Sequence, residues 1–128
     1  MSEPTKPWWR NAVTYEIYIR SFADSDGNGI GDLPGITSRL AYLAGLGVDA
    51  IWITPFYPSP MVDHGYDVAD YDAVDPLFGQ LRDVETLIET AHALDLRVLI
   101  DLVPNHTSDQ HRWFKQAITD PSSPERNY

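Results

Sequence analysis

A short acidic segment from Asp24 to Asp32 alternates oxygen-bearing side chains with three glycines. Hard cations such as Ca2+ take six to eight oxygen ligands from a compact loop, and this alternation could supply them. The glycines allow the backbone to curl and to turn carbonyl oxygens inward. The candidate ligands are the side chains of Asp24, Asp26, Asn28 and Asp32 and the backbone carbonyl of Ile30. The segment therefore predicts a structural calcium site, and a solvated turn rich in Asp, Asn and Gly is the competing interpretation.

The same segment begins like the calcium loop of an EF-hand, with Asp24, Asp26 and Asn28 at alternate positions and Gly29 following them. That loop ends in a bidentate Glu at its twelfth position, where this chain has Gly35. An EF-hand loop also follows a helix, whereas the residues before Asp24 predict a strand. We therefore expect an isolated metal loop and not an EF-hand.

A second group of chemically capable side chains follows 50–53, a short apolar run typical of a strand covered on both faces. This group contains Asp63, His64, Tyr66 and Asp67. Carboxylates and a histidine can hydrogen-bond the hydroxyls of a sugar, and an aromatic ring can stack on its apolar face. Because ligands of parallel α/β sheets bind at the carboxyl ends of the strands, these residues are candidates for a binding site. Plain surface charges on a turn-rich loop are the alternative interpretation.

Asp101 and His106 take the corresponding place in a third apolar run, 97–103, and just after it. An unpaired carboxylate inside such a run would be costly, so we expect Asp101 to have an Arg or His partner, in this chain or beyond it. A purely structural ion pair would explain Asp101 equally well. His106 could be a hydrogen-bonded loop histidine without a ligand.

The elements that position these residues alternate between strands and helices. The predicted order is a strand at 14–19, a helix over 36–44, a strand at 50–53, a helix capped by Asp83 and reaching Leu94, a strand at 97–103 and a short last helix capped by Ser108 or Asp109. The segment 54–80 contains four prolines, which disfavour regular structure there. Apolar strands separated by helices favour parallel pairing with helical crossovers, and so an α/β fold.

Two α/β architectures compete, an open doubly wound sheet and a (β/α)8 barrel. A doubly wound sheet often has a glycine-rich phosphate turn after its first strand, and acidic residues occupy that place here. A whole barrel takes roughly 250 residues. A chain of 128 residues could therefore hold only the first three strands of a barrel.

The composition limits the classes of partner. The net charge of −10 at pH 7 disfavours binding to nucleic acid and to anionic membrane surfaces. The absence of cysteine excludes disulfides and Cys-ligated zinc in this chain, which fits a reducing compartment. The chain has no apolar run of membrane-spanning length and no stretch of signal-peptide type at its start. We therefore expect no membrane partner and a cytoplasmic location.

Taken together, the motifs resemble those of the α-amylase family, glycoside hydrolase family thirteen, over most of the chain. The residues that carry the resemblance are Tyr15-Glu16-Ile17-Tyr18, Arg20-Ser21-Phe22, the Asp24–Asp32 loop with Leu33-Pro34-Gly35-Ile36, Ser59-Pro60-Met61, Gly65–Tyr71 and Asp101–Asp109. The chain is most similar to the α-glucosidase and oligo-1,6-glucosidase group. Trehalose synthases and sucrose isomerases share much of the same opening.

The resemblance implies the N-terminal part, about three β/α units, of a (β/α)8 barrel and a retaining reaction on α-glucosidic bonds. It places the nucleophile and the acid/base on the fourth and fifth strands, so that no catalytic residue lies in this chain. The implied substrate-binding residues are Asp63 on the outer hydroxyls of the terminal glucose, Tyr66 stacked on its ring, and Asp101 and His106 lining the same subsite, with His106 near the 6-hydroxyl. The family's calcium-sized site falls on the acidic loop. His64 is a departure, since many of these glucosidases carry another polar residue there.

On this basis residues 1–12 are expected to form a leader, and residues 13–128 a partial catalytic barrel domain ending in the loop after the third strand. The expected substrate is a small α-glucoside or a malto- or isomalto-oligosaccharide. The rest of the barrel is expected to be needed for stability and activity. Two alternatives are a non-catalytic relative, like the ectodomain of amino-acid transporter heavy chains, and a self-sufficient calcium- or sugar-binding module. The sugar-site residues that are present count against the first, and unprotected strand edges count against the second.

Overall fold

Three parallel strands form one sheet in the order β1-β2-β3, with helices between them. The computed structural model describes residues 7–128, so the first half of the predicted leader, residues 1–6, lies outside the described residues. The strands are β1 (Thr14–Ile17), β2 (Ala50–Ile53) and β3 (Arg97–Ile100), and the helices are α1 (Ile19–Phe22), α2 (Leu33–Gly45), α3 (Leu81–Ala93) and α4 (Arg112–Thr119). Two short 3₁₀ turns, Trp8–Arg10 and Pro124–Asn127, complete the elements. The predicted α/β alternation and the irregular segment 54–80 are confirmed.

The sheet buries one face against α2 and α3. Because neighbouring strand residues point to opposite faces, Ile17 and Ile53 share the helix-covered face, and both are fully buried. The two helices pack against this face through apolar side chains at helical spacing. The fully buried ones are Ile36, Leu40 and Leu43 on α2 and Leu87 and Ala91 on α3. Each such large aliphatic side chain stabilises the fold by roughly 1.5–3 kcal/mol on burial.

The opposite face of the sheet is open. Glu16, Trp52 and Leu99 are level with one another on this face in the parallel register. Glu16 is exposed, and Leu99 remains 40 % exposed. In a closed barrel this is the face that turns inward.

The first and third strands are shorter than predicted. β1 ends at Ile17 because a helical turn begins at Ile19, whose N–H donates to the Thr54 hydroxyl at 3.2 Å instead of to a neighbouring strand. β3 ends at Ile100 and not at Val103. Asp101 therefore stands just beyond the strand and does not interrupt it.

Two helix starts also differ from the prediction. Gln80 caps α3, and Asp83 is the third helical residue, whose carboxylate accepts the Gln80 N–H in a capping box. His111 caps α4 through its Nδ1, which accepts the Trp113 N–H at 3.1 Å. Neither Ser108 nor Asp109 is the cap, because the chain makes a further turn before the helix begins.

The His111 cap predicts a pH-dependent stability. Burial lowers the pKa of His111, and the positive charge of Arg112 lowers it further. A histidine whose pKa is lower in the folded state contributes stability that is present above the unfolded value, about 6.5, and is lost as the pH falls below it. We expect the thermal midpoint to fall as the pH drops from 6.5 towards 5. His111→Asn, which offers an uncharged capping oxygen, should reduce this dependence in a melting series, and an unchanged slope would contradict the prediction.

Within residues 7–128, none of the helices combines the length and the apolar character that crossing a membrane requires.

Candidate functional site

The carboxyl ends of the three strands bring the predicted binding residues to one edge of the sheet. Loop 54–80 leaves β2 at this edge, and loop 101–111 leaves β3 beside it. The two loops are joined by a backbone hydrogen bond from the Ser108 N–H to the Val68 carbonyl at 2.8 Å. Residues that are far apart along the chain therefore form one surface, as the rule for strand ends predicts.

Asp101 is held by hydrogen bonds to both of its carboxylate oxygens. Its Oδ1 accepts the indole N–H of Trp52 at 2.8 Å, and its Oδ2 accepts the hydroxyl of Tyr66 at 2.7 Å. The Tyr57 hydroxyl donates to the backbone carbonyl of Asp101 at 2.9 Å. Within residues 7–128 the donors to the Asp101 carboxylate are neutral, and an Arg or His partner beyond this chain stays a prediction.

The Tyr66 hydroxyl is a neutral donor over the whole physiological range. Burial raises its pKa to about 12, together with its hydrogen bond to Asp101 and the negative charges of Asp101, Glu16 and Asp63. Because the hydroxyl is used by Asp101, the ring itself is the part of Tyr66 left for a ligand.

His106 is fixed by both ring nitrogens. Nε2 lies 3.1 Å from the Tyr66 carbonyl, which can only accept, so this nitrogen carries the proton. Nδ1 then accepts from the Asn105 side-chain amide at 3.3 Å. The ring is exposed, and a sugar hydroxyl could replace the longer Asn105 contact as donor to Nδ1.

Asp63 and His64 form the outer part of the surface. Asp63 is exposed, and its carboxylate forms no hydrogen bond within the described residues, so its oxygens are available to hydroxyl groups. The ring Nδ1 of His64 lies 3.3 Å from the Tyr18 hydroxyl, and its backbone adopts the left-handed conformation at φ 54°. His64 therefore joins the end of β1 to loop 54–80.

Asp67 shapes the loop through hydrogen bonds within it. Its carboxylate accepts from the Ser59 hydroxyl at 2.8 Å and from the N–H groups of Val62 and Asp63 at 2.9 and 3.1 Å. Burial acts to raise the pKa of Asp67, but these hydrogen bonds outweigh it and the pKa is lowered. The carboxylate thus holds Asp63 in place from inside the loop.

The acidic loop gathers its carboxylates at one point. Asp24, Asp26 and Asp32 each place one oxygen within 4.8 Å of the others. The N–H groups of Gly29 and Gly27 donate to Asp24 at 2.8 and 2.7 Å and lower its pKa. Such a convergence of hard oxygens fits a calcium ion.

The other two predicted ligands have local roles as well. The Asn28 side-chain oxygen accepts the Ile30 N–H at 2.8 Å, and Ile30 packs against the core. Asp32 caps α2 by accepting the Gly35 N–H at 2.6 Å, and its second oxygen accepts from Ser25. The loop is therefore tied directly to α2.

Three aromatic residues of the surface were not among the predicted site residues. Trp52 and Tyr57 hold Asp101, and the Tyr71 hydroxyl lies 2.6 Å from the Val103 carbonyl and 2.8 Å from that of His106. Trp52 has the one side chain in the run 50–53 that can form a hydrogen bond, and this could have identified it from the sequence. The partners of Tyr57 and Tyr71 depend on how two loops meet, which no local pattern specifies.

This surface can bind a polyhydroxylated ring through carboxylate acceptors, a histidine and an aromatic face. The two active carboxylates of a glycosidase flank the scissile bond, one of them as a proton donor. Here each carboxylate oxygen of Asp101 already accepts one hydrogen bond, and Asp63 is exposed to solvent. The arrangement of these side chains is suited to binding such a ring.

Known proteins match the chain closely. The family model for the α-amylase catalytic domain matches residues 16–128. Glucan 1,6-α-glucosidase from Streptococcus pneumoniae serotype 4 is 56 % identical over 121 residues, which are 94 % of this chain and 23 % of that protein. The crystal structure of an α-glucosyl transfer enzyme, XgtA, is 58 % identical with a TM-score of 0.94, covering 97 % of this chain and 23 % of that one.

A third match is the crystal structure of trehalulose synthase MutB from Pseudomonas mesoacidophila MX-45. It is 47 % identical with a TM-score of 0.94, covering 98 % of this chain and 22 % of that one. The chain thus spans about a fifth of the length of the relatives it matches. Its sheet and helices are the first β/α units of a (β/α)8 barrel. The chain belongs to the α-amylase family, as part of its catalytic domain.

Proposed function

We propose that residues 63–106 contribute one wall of the glucose-binding pocket of a retaining α-glucosidase. The observation that carries this proposal is the pair of hydrogen bonds from Trp52 and Tyr66 to the Asp101 carboxylate. They fix this carboxylate beside Tyr66, whose backbone carbonyl lies 3.1 Å from His106. Asp63, Tyr66, Asp101 and His106 are the proposed substrate-binding residues. The catalytic nucleophile and acid/base are proposed to lie outside this chain.

The proposed substrate is a small α-glucoside or a malto- or isomalto-oligosaccharide. The similarity to a glucan 1,6-α-glucosidase favours hydrolysis. The similarity to an α-glucosyl transfer enzyme and to a trehalulose synthase supports a second candidate, transfer or isomerisation by the same pocket. All of these reactions use a bound terminal glucosyl unit, so the wall described here serves each of them.

The test uses the complete gene product that carries this sequence, with p-nitrophenyl α-glucoside, isomaltose and sucrose as substrates. Release of glucose from the first two supports the α-glucosidase, whereas conversion of sucrose into an isomer without free glucose supports the second candidate. Residues 1–128 alone should release no p-nitrophenol. No reaction of the complete product with any of the three would overturn the proposal.

We also propose that the acidic loop binds one calcium ion in a structural role. The ligands would be Asp24, Asp26, Asn28, the Ile30 carbonyl and Asp32, whose carboxylates already converge. When bound, the ion supplies a positive charge that relieves the repulsion among the carboxylates and pins the loop to α2.

Calcium removal tests this second proposal. Chelator-treated complete product should give binding heat on titration with Ca2+, and its thermal midpoint should rise by several degrees when calcium is restored. Asp26→Asn removes an exposed carboxylate without touching the cap of α2, and it should weaken the binding by roughly 10-fold or more. Absence of heat in the unaltered protein would contradict the proposal.

The rest of the barrel is proposed to be required for stability. The sheet leaves Leu99 and Ile100 about 40 % exposed at its β3 edge, and both outer strands lack a second neighbour within the described residues. Covering these groups would add apolar burial and close the edges. A cytoplasmic location stays a prediction of the composition.

A further inference from the structure

We propose that Trp52 is a positioning residue for the glucosyl pocket, acting through its indole N–H on Asp101. This inference rests on the proposed function and adds to it a residue that does not itself touch the sugar. Trp52 lies on β2, the central strand of the sheet, and its Nε1 is 2.8 Å from Asp101 Oδ1. The two residues are 49 positions apart, so the contact is made by the register of β2 and β3 and by no local turn.

The direction of this hydrogen bond is fixed by chemistry. An indole nitrogen can only donate, and a carboxylate oxygen can only accept. Tyr66 donates to the other oxygen, so turning the Asp101 carboxylate about its last bond would break both contacts. The Tyr57 hydroxyl restrains the backbone carbonyl of the same residue. The side chain and the backbone of Asp101 are therefore held from three directions.

The fixed orientation of the Asp101 carboxylate matters for binding because the carboxylate still has open acceptor positions. A carboxylate has about four lone-pair positions, and the two donors occupy two of them. The remaining two point in directions set by Trp52 and Tyr66. Sugar hydroxyls then meet acceptors that are already oriented, and less freedom is lost when the substrate binds.

The placement of Trp52 suits an orienting role better than a loop residue would. Its backbone pairs with both neighbouring strands, opposite Glu16 and Leu99. Groups on rigid elements hold a site more accurately than groups on loops. Asp101, Tyr57 and Tyr66 all lie outside the regular elements, so Trp52 is the one of these four residues that lies on a strand.

A double-mutant cycle in the complete gene product tests the inference. Trp52→Phe removes the N–H and keeps an aromatic ring, and it should lower kcat/KM for p-nitrophenyl α-glucoside by about 10-fold or more. In an Asp101→Ala background the same change should cost less than about 2-fold, because the partner is gone. Trp9→Phe is the matched control, since Trp9 is 64 % exposed and its indole has no partner within the described residues. It should leave the activity unchanged.

A second variant separates positioning from packing. Replacing Trp52 with benzothienylalanine keeps the shape of the indole and puts sulfur in place of N–H. This variant should fold like the original, lose the same 10-fold in kcat/KM, and show a turned Asp101 carboxylate in its crystal structure.

Two results would overturn the inference while leaving the proposed function in place. One is an equal loss from Trp52→Phe with and without Asp101. The other is full activity of the benzothienylalanine variant. An unaltered product that is inactive on α-glucosides would instead overturn the proposed function itself.

Discussion

Replacing Asp101 with Asn in the complete gene product is expected to lower kcat/KM for α-glucosides by about 100-fold while preserving the fold. The Asn oxygen can still accept from Trp52, and its amide can donate to the Tyr66 hydroxyl, which can accept as well as donate. The internal hydrogen bonds therefore survive, and the negative charge is what is lost. Hydrogen bonds to a charged group are about twice as strong as those to a neutral one. The measurement is steady-state kinetics beside a thermal melt.

Two further variants make this result interpretable. Asp101→Ala also leaves the Trp52 and Tyr66 donors without an acceptor, so it should be at least as inactive and less stable than Asp101→Asn. Asp95→Asn is the matched control, because Asp95 is exposed after α3 at φ 59°, a conformation that Asn adopts readily. It should keep full activity. An Asp101→Asn enzyme within 3-fold of the original would show that Asp101 is structural and would remove it from the pocket.

The parts of the fold that could be predicted from the sequence are those that depend on local patterns. The apolar run at 50–53 and the helical spacing of Ile36, Leu40 and Leu43 indicate their elements directly, because burial on one face imposes the pattern. The convergence of the acidic loop is equally local, since alternating oxygens and glycines lie within nine residues.

The contacts of Asp101 could not be predicted in the same way. Its place at the carboxyl ends of the strands could be predicted, because it directly follows the apolar run of the third strand. Its donors depend on the register between β2 and β3 and on the path of a long loop. A carboxylate at the end of an apolar run needs a hydrogen-bond or charge partner. The sequence does not specify whether that partner is a cation or a pair of neutral donors. The same limit applies to the His111 cap of α4, where a buried imidazole replaces the usual Ser or Asp.

Replacing Gly35 with Ala is expected to be the most destabilising single methyl addition in α2, at about 2–4 kcal/mol. A Cβ at Gly35 would lie 2.0 Å from the Ala23 carbonyl oxygen and 2.7 Å from its carbon. That carbonyl accepts the Asp32 N–H at 3.0 Å and closes the acidic loop. The clash is with backbone, so no side chain can rotate to relieve it. Either the start of α2 or the loop must move, and calcium affinity should fall together with stability.

Gly45→Ala provides the control within the same helix. A Cβ there meets no atom within 4 Å, and Gly45 is the last residue of α2. Alanine favours helix over glycine by roughly 0.5–1 kcal/mol, so this variant should be as stable as the original or slightly more stable. Thermal melts of both variants of the complete product, with calcium and with chelator, would separate the two effects. If Gly35→Ala melts like Gly45→Ala under both conditions, the close contact between α2 and Ala23 does not hold the loop. If the two differ only when calcium is present, the loop is held by the ion and the backbone contact is its consequence.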